Sequence, residues 1–397
     1  MPACRAGAGW PCTCSPLGVV TNLVLVFSEH FGRTLTRTPA QPIRWQTPVV
    51  NAGILMILVG LPSGTRWATA TGAMVVTTVV TISYGRLRRM RKQAIGARFA
   101  WIVRTYERAH SAFIHGAILG LLMGIGVLNG KWYVAGRMAH LHINILGWAG
   151  LTLLATLVFF GPTIVRTRIL EGADERAAAA LRRGATGLTI AFWLLLATGV
   201  GAPAATPLRL AAAVAMAVYA QAATVACLPV AGAARAANPS APRWSIVAVG
   251  WWFPVVAWAD VAVIATGSWR LLDAVGLAMI LGVLAQTMTA VLTYLAPMLR
   301  ARSFGGRDRL LARLETGATA RAVAFNLGAA VVVSAALLRG TAGGVLGRGG
   351  WTLVTVSVVW LLAVGASRPP RSSSDQGVTS QVARRYRTDN HDTQGQP

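Results

Sequence analysis

The chain has 397 residues, of which 54% are hydrophobic and only 12% charged, with a mean hydropathy of +0.55. About a quarter of the residues of a soluble domain are charged, so this deficit and the long apolar runs exclude an ordinary soluble globular protein and point to a polytopic membrane protein. The net charge of +25 reads as basic loops held on one side of a membrane, and no basic–aromatic module accompanies it that would favour a nucleic-acid partner.

The N-terminal stretch MPACRAGAGWPCTCSP has no charged region followed by a long apolar core, so it is no ordinary signal peptide. Residues 1–16 read as an unstructured leader or a mis-assigned start. Cys4, Cys12 and Cys14 crowd this stretch, and Cys12 and Cys14 have a spacing open to a soft metal or a disulfide. Residues 17–367 read as one transmembrane helical domain. Eleven apolar segments follow in order: Leu17–Phe31, Pro48–Leu61, Trp67–Tyr84, His110–Leu128, Ala139–Gly161, Gly184–Gly201, Leu208–Val230, Trp244–Gly267, Leu271–Pro297, Ala322–Leu338 and Trp351–Ala366. The first two are short for a span of about 20 residues. Residues 368–397 are rich in Ser, Arg, Gln and Asp without an apolar face, which predicts a disordered tail.

Lysine and arginine set the expected orientation. The loops after the first, third, fifth, seventh and ninth segments, with the tail, hold 29 of the 37 basic residues, including the run Arg86 to Lys92. The opposite loops hold Arg5, Arg66, Lys131, Arg137, Arg209, Arg270, Arg339 and Arg348. This asymmetry predicts an all-α bundle of eleven spans with the N-terminus outside and the C-terminus in the cytoplasm.

Polar residues within the spans are the candidate site. His140 and His142 open the fifth segment, which enters from outside, so both are expected at the outer boundary. Two residues apart, they point about 200° apart around a helix, so they serve different neighbours rather than clasp one metal from one face. Imidazole suits haem iron and copper, and it also suits the wet interfacial belt marked here by Trp132 and Tyr133. Asp260 is an acidic residue well inside the eighth segment. It is expected in the outer half with Asn22, either orienting a ligand histidine, relaying protons, or bonding a neighbouring helix beside Trp251, Trp252 and Trp258. His30, beside Glu29, with His110 and His115, is expected at the cytoplasmic end, where the three could share a site or lie singly at headgroup level. Gln221, Gln286, Tyr294 and Asn326 read as groups joining helices. Gly116, Gly120 and Gly124, four apart, make a ridge for close helix packing. No HExxH, GxSxG, CxxC pair or nucleotide loop is present, which leaves hydrolase, kinase and dehydrogenase chemistry without a basis.

The segment AHLHINILGWAGLTLLATLVFFGPTIVRTRI resembles the His-x-His…Gly-Trp helix in the membrane portion of bacterial multicopper, nitrite-reductase-like oxidases and their stand-alone relatives. More distantly it is similar to the haem-bearing helix of haem–copper oxidase subunit I and to nitric-oxide-response membrane proteins. VTNLVLVFSEHF, GVLAQTMTAVLTYLAP and AVAFNLG resemble other helices of the closer family, so the likeness runs from about Leu17 to Ser334. The resemblance implies haem or copper on His140 and His142, electron transfer or handling of a small gas or metal, and a cupredoxin or copper-oxidase partner. It also calls for further histidines, but His30, His110 and His115 fall at the other end of the expected topology. The residues themselves leave open a cofactor-free transporter in which His140, His142 and Asp260 line an aqueous path. Either reading places the protein in a bacterial cytoplasmic membrane, in contact with lipid.

Overall fold

The computed structural model describes residues 15–39, 44–94, 99–301, 303–338 and 341–366. The leader cysteines and the expected tail lie outside the described residues. Within them the chain is entirely helical apart from short connections. The helices are α1 (Thr21–Thr36, preceded by a π-helical turn at Ser15–Val20), α2 (Gln46–Ser63), α3 (Arg66–Gln93), α4 (Ala100–Gly124), α5 (Gly130–Ile164), α6 (Ala173–Val200), α7 (Ala205–Ala236), α8 (Arg243–Thr266), α9 (Trp269–Arg300), α10 (Phe304–Glu315), α11 (Ala318–Leu337) and α12 (Thr341–Ala366).

Nine of these, among the described residues, are long and apolar enough to cross a membrane: α2, α3, α5 to α9, α11 and α12. The other two helices that match expected spans, α1 and α4, fall short for visible reasons. Thr21–Thr36 has 16 residues, and the first half of α4 carries Arg104, Glu107 and Arg108. The short helix α10 interrupts a basic connection expected to be loop. Ser303 caps it, its Oγ accepting from the Gly306 amide at 3.1 Å, which satisfies one of the free amides of a helix start.

Four helices begin much earlier than the hydropathy suggests, among them α6 at Ala173 rather than Gly184 and α12 at Thr341 rather than Trp351. The fourth segment was expected from His110, but α4 starts at Ala100. Glu107 can sit in that added length because Arg91 of α3 donates to both its oxygens, at 2.5 and 3.1 Å. The fifth was expected from Ala139, but α5 starts at Gly130, after Asn129 in extended backbone. Lys131 and Arg137 break the apolar run without breaking the helix, since both are good helix formers.

Consecutive helices pack side by side, α6 on α7, α7 on α8, α2 on α3 and α11 on α12. Small residues make that contact, as expected where lipid supplies no hydrophobic drive between helices. A Cβ on Gly187 of α6 would lie 2.5 Å from the Ala215 carbonyl oxygen of α7. The core forms where α4 to α8 meet, around Met216, Tyr219, Phe253, Leu154 and Leu181, all at most 1% exposed. Helix α5 is the most enclosed, with 67% of its apolar window buried, against 17% for α12 at the rim. The residues of the candidate site are therefore carried by the central helix of the bundle.

Candidate functional site

Helix α5 runs 35 residues, about 50 Å at 1.5 Å per residue. His140 and His142 are ten and twelve residues beyond its start, so they lie about 15–18 Å inside the helix end. The helix thus begins well before the apolar segment, and the two histidines lie within it rather than at its end.

The 200° offset sends the two rings to different helices. His140 packs on α4, where its Nδ1 donates to the Gly116 carbonyl oxygen at 2.7 Å. Its ring fills the space left by Gly120, where a Cβ would sit 2.7 Å from His140 Cε1. Asn144, one turn on, fills the space at Gly116, where a Cβ would meet its Nδ2 at 2.2 Å. The Asn144 amide also donates to the His140 carbonyl oxygen at 2.8 Å. Two members of the glycine ridge therefore form a bed for a polar pair, and the third, Gly124, faces Thr69 of α3.

His142 faces α8. Its Nε2 lies 3.0 Å from Asp260 Oδ1, and its Nδ1 donates to the Met138 carbonyl oxygen at 2.6 Å. The two side chains are each 4% exposed. Both ring nitrogens face oxygen acceptors. The geometry is satisfied by an imidazolium–carboxylate pair, or by a neutral pair with the proton on Asp260 and the Nε2 lone pair accepting it. One proton is thus shared along one 3.0 Å contact. Asp260 Oδ2 is buried with no hydrogen-bond partner among the described residues, leaving an acceptor for a further donor.

The helix is widened just beyond these residues. Ile143–Gly150 is π-helical, a form that occurs most often as a local bulge at functional sites. The bulge turns the Leu146 carbonyl outward, and the Tyr219 hydroxyl of α7 donates to it at 2.8 Å. It also places Trp148 against His110 of α4, ring centroids 4.7 Å apart. Trp148 Nε1 is buried and unpartnered among the described residues.

His110 begins a second polar chain. It is fully buried, with Nδ1 donating to the Tyr106 carbonyl oxygen at 2.8 Å and Nε2 3.1 Å from Ser83 Oγ of α3. Ser83 Oγ is 2.9 Å from Glu29 Oε1 of α1, and Glu29 Oε2 accepts from Arg33 and Arg86 at 3.2 and 3.3 Å. Ser83 has one hydrogen and two candidate acceptors, so its hydroxyl bonds Glu29 or His110 but not both at once; a relay through it requires that Ser83 Oγ take a proton from a protonated partner as it gives its own to the other. Glu29 also borders a polar cavity of about 230 Å³, with Asn22, His30, Arg33 and Gln46. His110 and Gly116 are six residues apart on α4, as are His142 and Trp148 on α5, about 9 Å in each case. The two clusters therefore sit one above the other along a single α4–α5 seam, rather than at opposite ends of the bundle.

The remaining polar residues are scattered. His30 is exposed at the cavity, and His115 lies edge-on to Phe192 and Trp193, so neither joins His110. Asn22 donates to Asn51 at 2.7 Å and does not approach Asp260. Asn326 joins helices by accepting from Trp252 Nε1 at 2.9 Å, and Tyr294 meets Phe160 of α5 edge-on. Gln221 is exposed, and Gln286 Nε2 is buried without a partner among the described residues. Cys227 is fully buried. The groups that sequence reasoning missed are Ser83, Asn144 and Tyr219, with Glu29 noticed only as a neighbour of His30.

For a haem or copper, His142 does not fit, because Met138 and Asp260 take both its nitrogens. His140 fits better: with Nδ1 on a carbonyl, Nε2 keeps its lone pair, the arrangement usual for a ligating histidine. No group of three or more His, Cys, Asp or Glu suited to a metal ion occurs among the described residues. No family model matches the chain, and no curated protein or solved structure is significantly similar to it. Nothing in those comparisons supports the oxidase-like resemblance of the α5 segment. The fold and site define a multi-pass helical membrane-type bundle with ionisable groups buried at its centre.

Proposed function

We propose that this is an integral membrane transporter that needs no bound cofactor and moves protons through its buried titratable groups. The observation that carries the reading is the His142–Asp260 contact, 3.0 Å long and closed off from solvent, with Asp260 Oδ2 left unpartnered. Ionisable side chains are costly within a bilayer and usually mark ion or proton pathways. The Glu29–Ser83–His110 chain supports the same reading, since it links the cavity at Glu29 to the bundle interior through two titratable side chains bridged by a hydroxyl. In this reading all eleven segments span a bacterial cytoplasmic membrane, N-terminus outside, and the basic loops hold that orientation. The test is proton flux into liposomes loaded with a pH-sensitive dye, driven by an imposed potassium diffusion potential. The wild type acidifies the lumen, and Asp260→Asn slows this on the order of tenfold or more. Wild-type liposomes no faster than empty ones overturn the reading.

One observation favours a second reading. The free Nε2 of His140 suits a single axial haem ligand, which would supply gas binding or electron transfer. Purified protein would then carry a Soret band that shifts on reduction with dithionite and disappears in His140→Ala. A colourless, folded wild type after expression with haem supplied rules it out.

A further inference from the structure

The face of α8 turned away from the site carries a groove that the reading above leaves unused. It lies between α8 and α11, has a volume of about 430 Å³, and is lined by Trp244, Trp251, Trp252, Val255 and Val323, with Asn326 at its floor. Two of the tryptophans are held by their polar atoms. Trp244 Nε1 donates to Thr319 Oγ1 at 3.1 Å and Trp252 Nε1 to Asn326 Oδ1 at 2.9 Å, so both indoles tie α8 to α11. Trp251 is 55% exposed, so one wall of the groove faces outward. The lining of the slot is apolar apart from Asn326, with a charge beside one lining residue, Trp244. There the Arg243 guanidinium lies over the Trp244 ring, 4.8 Å from its centroid. One of its amino groups donates to the Arg235 carbonyl oxygen at 2.5 Å, while its Nε is buried and has no partner among the described residues.

We infer that this groove binds one anionic phospholipid, an acyl chain along Trp244, Trp251 and Val255 and the headgroup phosphate on Arg243. The inference rests on the chain residing in a bilayer, but not on proton movement. An arginine held by a ring and a carbonyl, and itself only half-buried, is placed to meet a phosphate oxygen. A basic pocket between membrane helices is a recognised form of anionic lipid site. A fixed cation beside a tryptophan-lined apolar slot matches a ligand with one anionic end and one hydrocarbon end. A zwitterionic lipid, whose own cation repels Arg243, suits it less well.

The experiment uses the full chain, delipidated in detergent, with phosphatidylglycerol or phosphatidylcholine added in mixed micelles and read by native mass spectrometry and thermal melting. One phosphatidylglycerol is expected to remain bound and to raise the melting temperature, with phosphatidylcholine on the order of tenfold weaker. Arg243→Gln removes that preference. Val323→Trp, which fills the slot and spares Arg243, abolishes retention of either lipid, and it guards against an Arg243 variant that does not fold. Equal retention of both lipids overturns the inference and makes the groove ordinary lipid-facing surface. Equal protection by inorganic phosphate overturns it in favour of a free-anion site. A dimer that Val323→Trp disperses overturns it in favour of a second copy. Proton flux is measured separately, so failure here leaves the transport reading standing, and failure there leaves this one standing.

Discussion

Asp260→Ala destabilises the protein by about 3–5 kcal/mol, the usual cost of removing one member of a buried charge pair and leaving the other uncompensated. The side chain is only 4% exposed, and among the described residues Asp260 is the acceptor that His142 Nε2 meets. His142→Leu is costly for the same reason, because it strands the carboxylate. The double variant His142→Leu with Asp260→Leu recovers most of the loss, since replacing a buried pair by apolar groups is often neutral or better. Unfolding in detergent, followed for the wild type, both single variants and the double, gives the coupling directly. A coupling of about 2 kcal/mol or more is expected for groups in direct contact. Simple additivity contradicts the pairing.

Gly116→Ala costs about 1–3 kcal/mol through overpacking, although alanine is the better helix former. The added methyl falls 2.2 Å from Asn144 Nδ2 and 2.7 Å from its Cγ, so the whole amide has to move rather than the tip of a flexible chain. That displacement also strains the His140 contact to the Gly116 carbonyl. Adding Asn144→Ala clears the space and restores most of the stability. Gly120→Ala meets His140 Cε1 at 2.7 Å and is not rescued by Asn144→Ala. A Gly116→Ala protein as stable as the wild type contradicts this packing of α4 on α5.

Much of the helical framework was legible in the sequence, because burial in a bilayer writes itself as uncharged runs. Each of the eleven apolar segments overlaps a helix, although the fourth runs four residues past the end of α4 at Gly124. The starts of α4, α5, α6 and α12 were not legible, since charged residues such as Arg104, Glu107, Lys131, Arg137, Arg182 and Arg348 interrupt hydropathy without interrupting a helix. At α4 and α5 that offset of nine or ten residues separated His140 from His110, although both lie on the α4–α5 seam while His142 faces α8. Asp260 and His142 stood out singly, each unusual inside an apolar run. Their pairing across 118 residues did not, because one sequence does not say which helices are neighbours. Ser83 gave no signal among the many hydroxyls of its helix. Glu29 did give one, as a carboxylate in an otherwise apolar stretch, but its tie to Ser83 and His110 depends on how α1, α3 and α4 meet. The glycine ridge showed that something packs closely on α4, without showing that a histidine and an asparagine are what it admits.

Proton movement requires that the buried pair exchange its proton rather than merely hold two helices together. Infrared difference spectroscopy on the reconstituted protein across a pH step, with wild type and Asp260→Asn compared, addresses this most directly. A proton-carrying pair predicts a carboxylic-acid carbonyl band that changes in the wild type, is absent in Asp260→Asn, and moves together with imidazole bands lost in His142→Gln. Identical difference spectra for wild type and Asp260→Asn, over the whole range in which both stay folded, contradict it and make the pair a structural clasp.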